Sequence, residues 1–280
     1  MKKSIMAILM CAMTFTSAHA LLEEWRTPDV PSKQEVKAFQ RDVKNGSFSQ
    51  KTRAALKRAA LVNSRDEKGN TPLMMATFKG NYQMVKNLLD NGAKTSIDWL
   101  NNENMSALCI AAQMKRVKTV SLLLERGASV NLRCGFNKNQ KSPLMIAAEN
   151  GAVPEIIQAL VDKKANVNFA TADGSVTPLM RVAGSGVVKS ASILLKAGAD
   201  INAETTGYVD CGITPAWFAI YSGKLPMLKF LMEKGGHAYP YYGDDVYVFA
   251  MDVARNNGGP EMVEYLRSKG YKEPSEDDYF

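Results

Sequence analysis

The residues that could carry catalytic chemistry are few in this sequence. The chain contains two histidines, His19 and His237, so a Ser-His-Asp or Cys-His site beyond residue 20 would have to use His237. No G-x-S-x-G, H-E-x-x-H, phosphate-binding glycine loop, paired C-x-x-C or D-x-D-x-D-G calcium loop occurs. Zinc needs several Cys or His ligands, which this composition cannot supply. The sequence therefore predicts no catalytic residue, no metal ligand and no cofactor, and leaves only an all-oxygen calcium site open.

Large aromatic residues in loop segments could instead support recognition. They stand at Trp99, Phe136, Phe169 and Tyr208 and in the run Tyr239, Tyr241 and Tyr242. Protein interfaces favour Trp and Tyr anchors flanked by polar groups. Alternatively, these rings fold back and cover the framework, an interpretation that fits Phe169 best because it lies beside apolar positions. The first interpretation predicts partner-binding residues at Trp99, Phe136, Tyr208, Tyr241 and Tyr242.

The elements that must position these loops are clearest between Gly69 and Ala93. Thr71 is a good N-cap, and Pro72 follows at the first helical position. Gly80 can end this helix in the left-handed conformation. A second helix carries Val85, Leu88 and Leu89 on one face and stops at Gly92. Two helices of this length cannot bury their apolar faces alone, so they need neighbours of the same shape.

Four further copies of this pattern follow along the chain. The corner residues are Thr71, Ser106, Ser142, Thr177 and Thr214. Each begins a first helix that is followed by a Leu-rich second helix, and a sixth, weaker copy runs from Phe249 to Gly270. Within the second helices, Leu88, Leu123 and Leu195 are expected to share one fully buried register.

The nearly constant spacing of these copies along the chain, together with the sequence motifs T-P-L, A-A, L-L and G-A-x-x-N within them, resembles the ankyrin repeat. The resemblance implies an all-α ankyrin-repeat solenoid of stacked helix-turn-helix units, with loop or β-hairpin fingers between them. The family usually has a His directly after T-P-L, and the absence of this His here predicts looser helix corners. In its place the copies have Met74, Cys109, Met145, Met180 and Trp217. Lys115 stands where other copies have Gly. Gly adopts a positive φ easily, whereas a positive φ is uncommon for a residue such as Lys.

The resemblance also implies that the loops and the exposed side of the first helices line one concave face. At the corresponding first-helix position the copies place Phe78, Gln113, Glu149, Gly184 and Tyr221. Phe78 and Tyr221 therefore join the predicted partner-binding residues.

The repeats divide the chain into ten segments. The expected boundaries are a signal peptide (1–20), a leader (21–31), an N-terminal capping helix pair (32–62), ankyrin repeats at 63–95, 96–131, 132–168, 169–202 and 203–237, a degenerate C-terminal repeat (238–272) and an acidic tail (273–280). Ser32 and Glu35 form a capping-box pattern, and Asn45-Gly46 breaks the first cap helix. Such caps shield the apolar ends of a solenoid.

The first twenty residues have the layout of an export signal. A basic Met1-Lys2-Lys3 start precedes an apolar run and an Ala18-His19-Ala20 cleavage motif, which places cleavage after Ala20. The apolar run is too short to cross about 30 Å of hydrocarbon, and no later stretch is long enough to form a membrane helix. Attachment of a lipid at Cys11 is disfavoured because Met10 precedes it. We therefore expect a periplasmic protein that is not an integral membrane protein, and a cytosolic pool stays compatible with this expectation.

The net charge is +7, and the chain beyond residue 20 carries +5, from 33 basic and 28 acidic residues. Nucleic-acid binding would call for clustered Lys and Arg with interleaved aromatics. The densest basic stretch, 51–58, alternates with Ala and Leu and is interpreted as a solvated helix face. Nucleic acid is therefore not an expected partner.

Three cysteines lie beyond residue 20, at Cys109, Cys134 and Cys211. Their odd number leaves at least one thiol free or paired between chains. Cys109 is expected to pack as a small hydrophobic residue on a first helix. Cys134 and Cys211 lie two repeats apart, roughly 20 Å at the usual helix spacing, so a bridge between them is disfavoured.

These features favour a monomeric, non-catalytic protein that binds another protein on its concave face. Exported bacterial ankyrin proteins of this size resemble immunity proteins for secreted effectors, including lipases such as type VI phospholipases. The alternative is a scaffold or support factor for a resident periplasmic enzyme, for example in oxidative-stress defence. The neighbouring gene would distinguish the two.

Overall fold

A computed structural model describes residues 30–47, 49–136, 140–171, 176–206, 212–238, 241–242, 247–248 and 250–272. The described chain is built from fifteen short α-helices, with one 3₁₀ turn at Ala93–Ser96. The cap contains α1 (Lys33–Asn45), α2 (Gln50–Leu56) and α3 (Ala59–Val62). The helix pairs that follow are α4 (Pro72–Lys79) and α5 (Tyr82–Asp90), α6 (Ala107–Gln113) and α7 (Val117–Glu125), α8 (Pro143–Glu149) and α9 (Pro154–Asp162), α10 (Pro178–Ser185) and α11 (Val188–Lys196), α12 (Pro215–Tyr221) and α13 (Leu225–Glu233), and α14 (Ala250–Asn257) and α15 (Gly259–Ser268).

The helix pairs stack into two layers. The first helices α4, α6, α8, α10, α12 and α14 contact one another in order, and α1 packs on α4 at the start of the row. The second helices α5, α7, α9, α11 and α13 form the other layer. One apolar core runs between the layers from the cap to α15. The all-α solenoid expected from the sequence is confirmed.

The second-helix register is shifted by one residue from expectation in α11. Leu88 and Leu123 are fully buried as expected, but Leu195 is only partly buried and Leu194 takes the fully buried position. Aligned on the glycines that follow these helices, Leu194 matches Leu88, so the expectation for Leu195 was wrong.

The helix starts follow from their corner residues. The hydroxyls of Thr71, Ser106, Ser142, Thr177 and Thr214 accept hydrogen bonds from the backbone N–H groups three residues later. At two corners a methionine sulfur completes the cap, since Sδ of Met74 and Met180 accepts from the N–H of Thr71 and Thr177 at 3.4 and 3.3 Å. The expected loosening is therefore offset at these corners, because a weak sulfur acceptor satisfies the donor.

Asparagines in the loops connect each repeat to the next. Oδ1 of Asn168 accepts from the N–H of Asp200 at 2.9 Å, while its Nδ2 donates to the carbonyl of Gly198 at 3.0 Å. Asn202 repeats this arrangement one unit later, with His237 and Gly235. These bonds satisfy backbone groups at the helix ends and fix the spacing of the loops.

The loops contain short β-structure. Cys134 pairs with Lys141 as an isolated bridge, and β1 (Tyr241–Tyr242) pairs antiparallel with β2 (Tyr247–Val248). In the turn between α6 and α7, Lys115 adopts a φ of 56°. It therefore has a positive φ at the position where other repeats have glycine.

The cysteines pair differently from expectation. Cys109, fully buried in α6, forms a disulfide with Cys134, with Cα atoms 6.5 Å apart. Cys109 was expected to pack without a covalent partner, whereas the loop before α8 returns over the start of α6 and brings Cys134 beside Ser106. Cys109 is therefore both a core residue and one half of a crosslink. Cys211 lies outside the described residues.

Candidate protein-binding site

The last turns of the first helices carry a row of side chains along the face that the ankyrin resemblance predicts to be concave. Both ends of the row are aromatic and open, with Phe78 53% exposed and Tyr221 69% exposed. Four helix spacings separate α4 from α12, which is about 32–40 Å at 8–10 Å per spacing. The two rings therefore cannot share one anchor pocket, although they can lie under one extended partner.

The centre of the row is ionic. Glu149, at the end of α8, lies 2.7 Å from Nζ of Lys141 and 3.2 Å from Nε of Arg181. The carboxylate is mostly buried and both cations are about one-third exposed. One acid thus holds the finger loop before α8 against the next repeat, α10. The middle of the concave face is polar and already paired, unlike its ends.

A groove opens at the N-terminal end of this face, between α1, α4, α6 and the loops that precede them. It has a volume of about 1130 Å³ and is partly open to solvent, so an extended polypeptide segment can lie along it. Its apolar surface includes Val36, Met75, Phe78, Met105 and Ile110. Methionine adapts its shape to different partners, which favours recognition over catalysis.

Charge around this groove is predominantly positive. Seven basic and three acidic side chains line it, a net charge of +4. The basic residues are Lys33, Lys37, Arg41, Lys44, Arg65, Lys68 and Lys79. Lys37 lies 3.6 Å from Glu67, and because both side chains are largely exposed, this ion pair contributes little stability and costs little to separate.

Comparison with known proteins identifies the repeat architecture. A family model described as "Ankyrin repeats (3 copies)" matches residues 43–134 and 132–205, more than half of the chain. The chain belongs to the ankyrin-repeat family. The α12–α13 and α14–α15 pairs continue the stack beyond the matched residues.

Similar curated proteins share the ankyrin region. The chain is 34% identical over 150 residues to the nuclear factor NF-kappa-B p105 subunit of Gallus gallus, covering 53% of this chain and 15% of that protein. It is 31% identical over 202 residues to the ankyrin repeat protein nuc-2 of Neurospora crassa, covering 72% of this chain and 18% of that protein. A third match is the probable 26S proteasome regulatory subunit p28 of Saccharomyces cerevisiae, 32% identical over 137 residues, 48% of this chain and 58% of that protein. The chain spans less than a fifth of the first two relatives.

Ankyrin repeats imply protein–protein interaction, which agrees with the site geometry. Within the residues that the structure describes, no group of three His, Cys, Asp or Glu side chains is placed to hold a metal ion. In that same part of the chain, no helix is both long and apolar enough to cross a membrane.

The aromatic side chains in the finger loops of this ankyrin protein are only partly exposed to solvent. Trp99 is 38% exposed, and the guanidinium of Arg65 lies 4.6 Å from its ring centroid while Arg65 also donates to the carbonyl of Leu100. Phe136 is 51% exposed in the next finger, which is joined to the first by a bond from the N–H of Gly135 to the carbonyl of Asn104. Trp99 and Phe136 therefore lie in adjacent fingers, with Trp99 held in place by a cation–π contact.

The remaining predicted positions have different environments. Phe169 is half-buried, and the guanidinium of Arg133 lies 4.3 Å from its ring centroid. This environment agrees with the interpretation that the Phe169 ring folds back onto the repeat framework. Tyr241 and Tyr242 lie on β1, where their backbones pair with Val248 and Tyr247. Tyr208 lies outside the described residues.

Sequence reasoning missed the contribution of the cap to the site. The basic face of α1, together with Met75 and Met105, completes the groove around Phe78. Tyr82, at the start of α5, is also 39% exposed. Met75 could have been identified from the sequence, because it lies one turn before Phe78 on the same helix face. The position of α1 beside α4 depends on the cap fold, which has no repeat pattern to align.

The first turn of α1 is electrostatically fixed. The carboxylate of Glu35 accepts from the N–H of Ser32 at 2.7 Å and from Nη1 of Arg58 at 2.9 Å. These bonds, the backbone one first, lower the pKa of Glu35 from 4.5 to about 2. The expected capping box is confirmed, and it ties α1 to the end of the cap at the edge of the groove.

Proposed function

We propose that this is an exported periplasmic ankyrin protein that binds and neutralises a secreted antibacterial effector, such as a type VI phospholipase. It acts without catalysis, by occluding the effector with a preformed concave face. The observation that carries the binding step is the exposed Phe78 in an apolar groove with a basic rim. A framework of stacked repeats holds this surface in place before a partner arrives, which reduces the ordering cost of binding.

Two features support export. Lys2-Lys3, the apolar run and Ala18-His19-Ala20 have the layout of a cleaved signal peptide. The buried Cys109–Cys134 disulfide suits an oxidising compartment such as the periplasm and is unusual in the cytosol. An immunity protein for an effector delivered into the periplasm has to be present in that compartment.

Calorimetry with the product of the adjacent gene tests this function. The chain from Leu21 is titrated into that product, and inhibition of its hydrolase activity is followed in parallel. Phe78→Ala is expected to weaken binding about thirtyfold or more, a loss of roughly 2 kcal/mol, because it removes an apolar anchor. Lys86→Ala is the matched control, on the exposed side of α5 in the opposite layer.

The outcomes separate the candidate functions. Tight binding with inhibition, lost in Phe78→Ala and kept in Lys86→Ala, supports immunity. Binding that leaves a resident periplasmic enzyme active would favour the support-factor alternative. Lack of binding, or loss only in Lys86→Ala, would refute the concave-face proposal.

A further inference from the structure

The rim of the N-terminal groove has positive charges that the described chain leaves uncompensated. Lys33, Lys44 and Lys79 are exposed, and no described carboxylate lies within 4 Å of their ammonium groups. Arg41 has only a 3.9 Å contact with its neighbour Asp42. A negatively charged occupant would therefore gain attraction without first breaking strong ion pairs.

The floor of the groove has the opposite character. Phe78 is half-exposed, and Met75 and Met105 are partly buried beside it. A bound segment that places an aromatic or aliphatic side chain here would cover apolar surface and gain aromatic and sulfur contacts. The groove therefore suits an acidic segment that contains an apolar anchor.

We propose that this groove is an interaction surface for such a segment and that its resting occupant is residues 21–29 of the same chain. Their sequence is LLEEWRTPD, with three acidic side chains and one basic side chain, a net side-chain charge of −2, which becomes −1 when the α-ammonium group of a chain that begins at Leu21 is counted. In the proposed arrangement the carboxylates of Glu23 and Glu24 would pair with the lysine-rich rim, and the Trp25 ring would pack on Phe78. The segment carries both features that the groove requires, acidic side chains and a large apolar side chain, within a few consecutive residues.

The chain connection supports this choice of occupant. The segment continues into Val30, which is 59% exposed, and Pro31, which itself lines the groove. Nine residues extend up to about 30 Å, whereas α1 to α6 spans two helix spacings, about 16–20 Å. The segment is therefore long enough to cross the groove and is attached at its edge.

The acidic tail has similar chemistry but cannot reach the groove of its own chain. Residues 273–280 extend at most about 29 Å, while six helix spacings between α1 and α14 amount to about 48–60 Å. The tail could enter this groove only from a second copy of the chain.

This inference goes beyond the proposed function and does not depend on the identity of the partner. It implies that the Phe78 end of the concave face is covered in the resting protein. A partner that docks there has to displace residues 21–29, so shortening the segment would increase the affinity of the partner.

Fluorine NMR on the chain from Leu21, labelled with 5-fluorotryptophan, tests the proposal. The chain contains three tryptophans, and Trp25→Phe identifies the resonance of Trp25. We expect that resonance to be shifted from the random-coil position and as broad as those of Trp99 and Trp217. Lys33→Glu combined with Arg41→Glu should return it to a narrow, random-coil line, because both changes reverse rim charges.

The controls keep the result interpretable. Lys33→Glu places an acid in the first turn of α1, which is favourable for the helix, and circular dichroism confirms folding of the double variant. Lys196→Glu, at the exposed end of α11, makes a similar charge reversal outside the groove and should leave the Trp25 signal unchanged.

Three outcomes would overturn the proposal. A narrow, random-coil Trp25 line in the wild-type chain would show that the segment is free. An equally broad line in the double variant would place the segment elsewhere. A line whose width depends on protein concentration would assign the groove to a second copy. These measurements report the environment of Trp25 in the absence of effector, whereas the calorimetry reports effector binding, so failure here is distinguishable from failure of the proposed function.

Discussion

Single side chains decide how tightly each repeat corner is held. Met74 and Met180 occupy the position where the family usually has histidine, and their sulfurs accept the corner N–H bonds. Met145 is fully buried at the equivalent position, and the hydroxyl of Ser142 caps its N–H at 3.2 Å. The corners are thus rebuilt from softer residues that also fill core volume, so a departure from the family pattern does not by itself imply instability.

One residue-scale prediction uses the register within α11. Leu194→Ala should lower the free energy of unfolding by about 2–5 kcal/mol, because it removes a fully buried side chain and leaves a cavity. Leu195→Ala is the matched control and should cost clearly less, since Leu195 is partly exposed. Urea denaturation measures both. Equal losses, or a larger loss for Leu195→Ala, would contradict the register described above.

A second residue-scale prediction concerns Glu35. Because its pKa is lowered from 4.5 to about 2, its stabilising contribution is fully present above pH 4.5 and is lost as the pH falls through about 2. Carboxyl NMR should follow this titration, and the protection factors of the amides at the start of α1, which are corrected for the intrinsic pH dependence of exchange, should fall over the same range. Arg58→Ala should raise the pKa only partly, because the N–H of Ser32 remains. A Glu35 pKa near 4.5 in the wild type would refute the capping role.

At the scale of elements, the repeating units are more predictable from sequence than the segments between them. Corner hydroxyls, Pro at the first helical position and leucine spacing act within about ten residues, so helices α4 to α13 can be anticipated from local pattern. The packing of α1 against α4 and the return of the loop that carries Cys134 depend on non-local contacts. This difference explains why Phe78 was anticipated as a site residue while the groove around it was not.

The disulfide gives an element-scale prediction. Cys109 and Cys134 are 25 residues apart and join α6 to the finger before α8. Cys134→Ser should lower the free energy of unfolding by about 3 kcal/mol, in line with the loop-closure estimate for this length. A reductant should reproduce the loss in the wild type and have little further effect in the variant, as measured by thermal unfolding. An unchanged midpoint in both cases would mean that the crosslink does not form in solution.

At the scale of the whole molecule, the solenoid has two different ends. The N-terminal cap contributes a basic face to the groove, whereas α15 buries Met262 and Leu266 against the stack and turns Glu261, Glu264 and Arg267 to water. One end therefore carries the groove with its basic rim, and the other terminates the core. The partner surface is consequently expected to be concentrated toward the N-terminal half of the concave face.

This asymmetry leads to a prediction about truncation. Removing residues 249–280 takes away α14 and α15 and uncovers the side of α12 against which α14 packs. Such a chain should aggregate or lose helicity, because terminal repeats with a polar outer face keep a solenoid soluble. Removing only residues 273–280 is the control and should leave a folded monomer, since Tyr271, whose hydroxyl accepts from the N–H of Ala238 at 2.9 Å, is retained. Size-exclusion chromatography and circular dichroism distinguish the two results. A soluble, fully helical 21–248 chain would mean that the last pair is dispensable and that α13 can itself terminate the core.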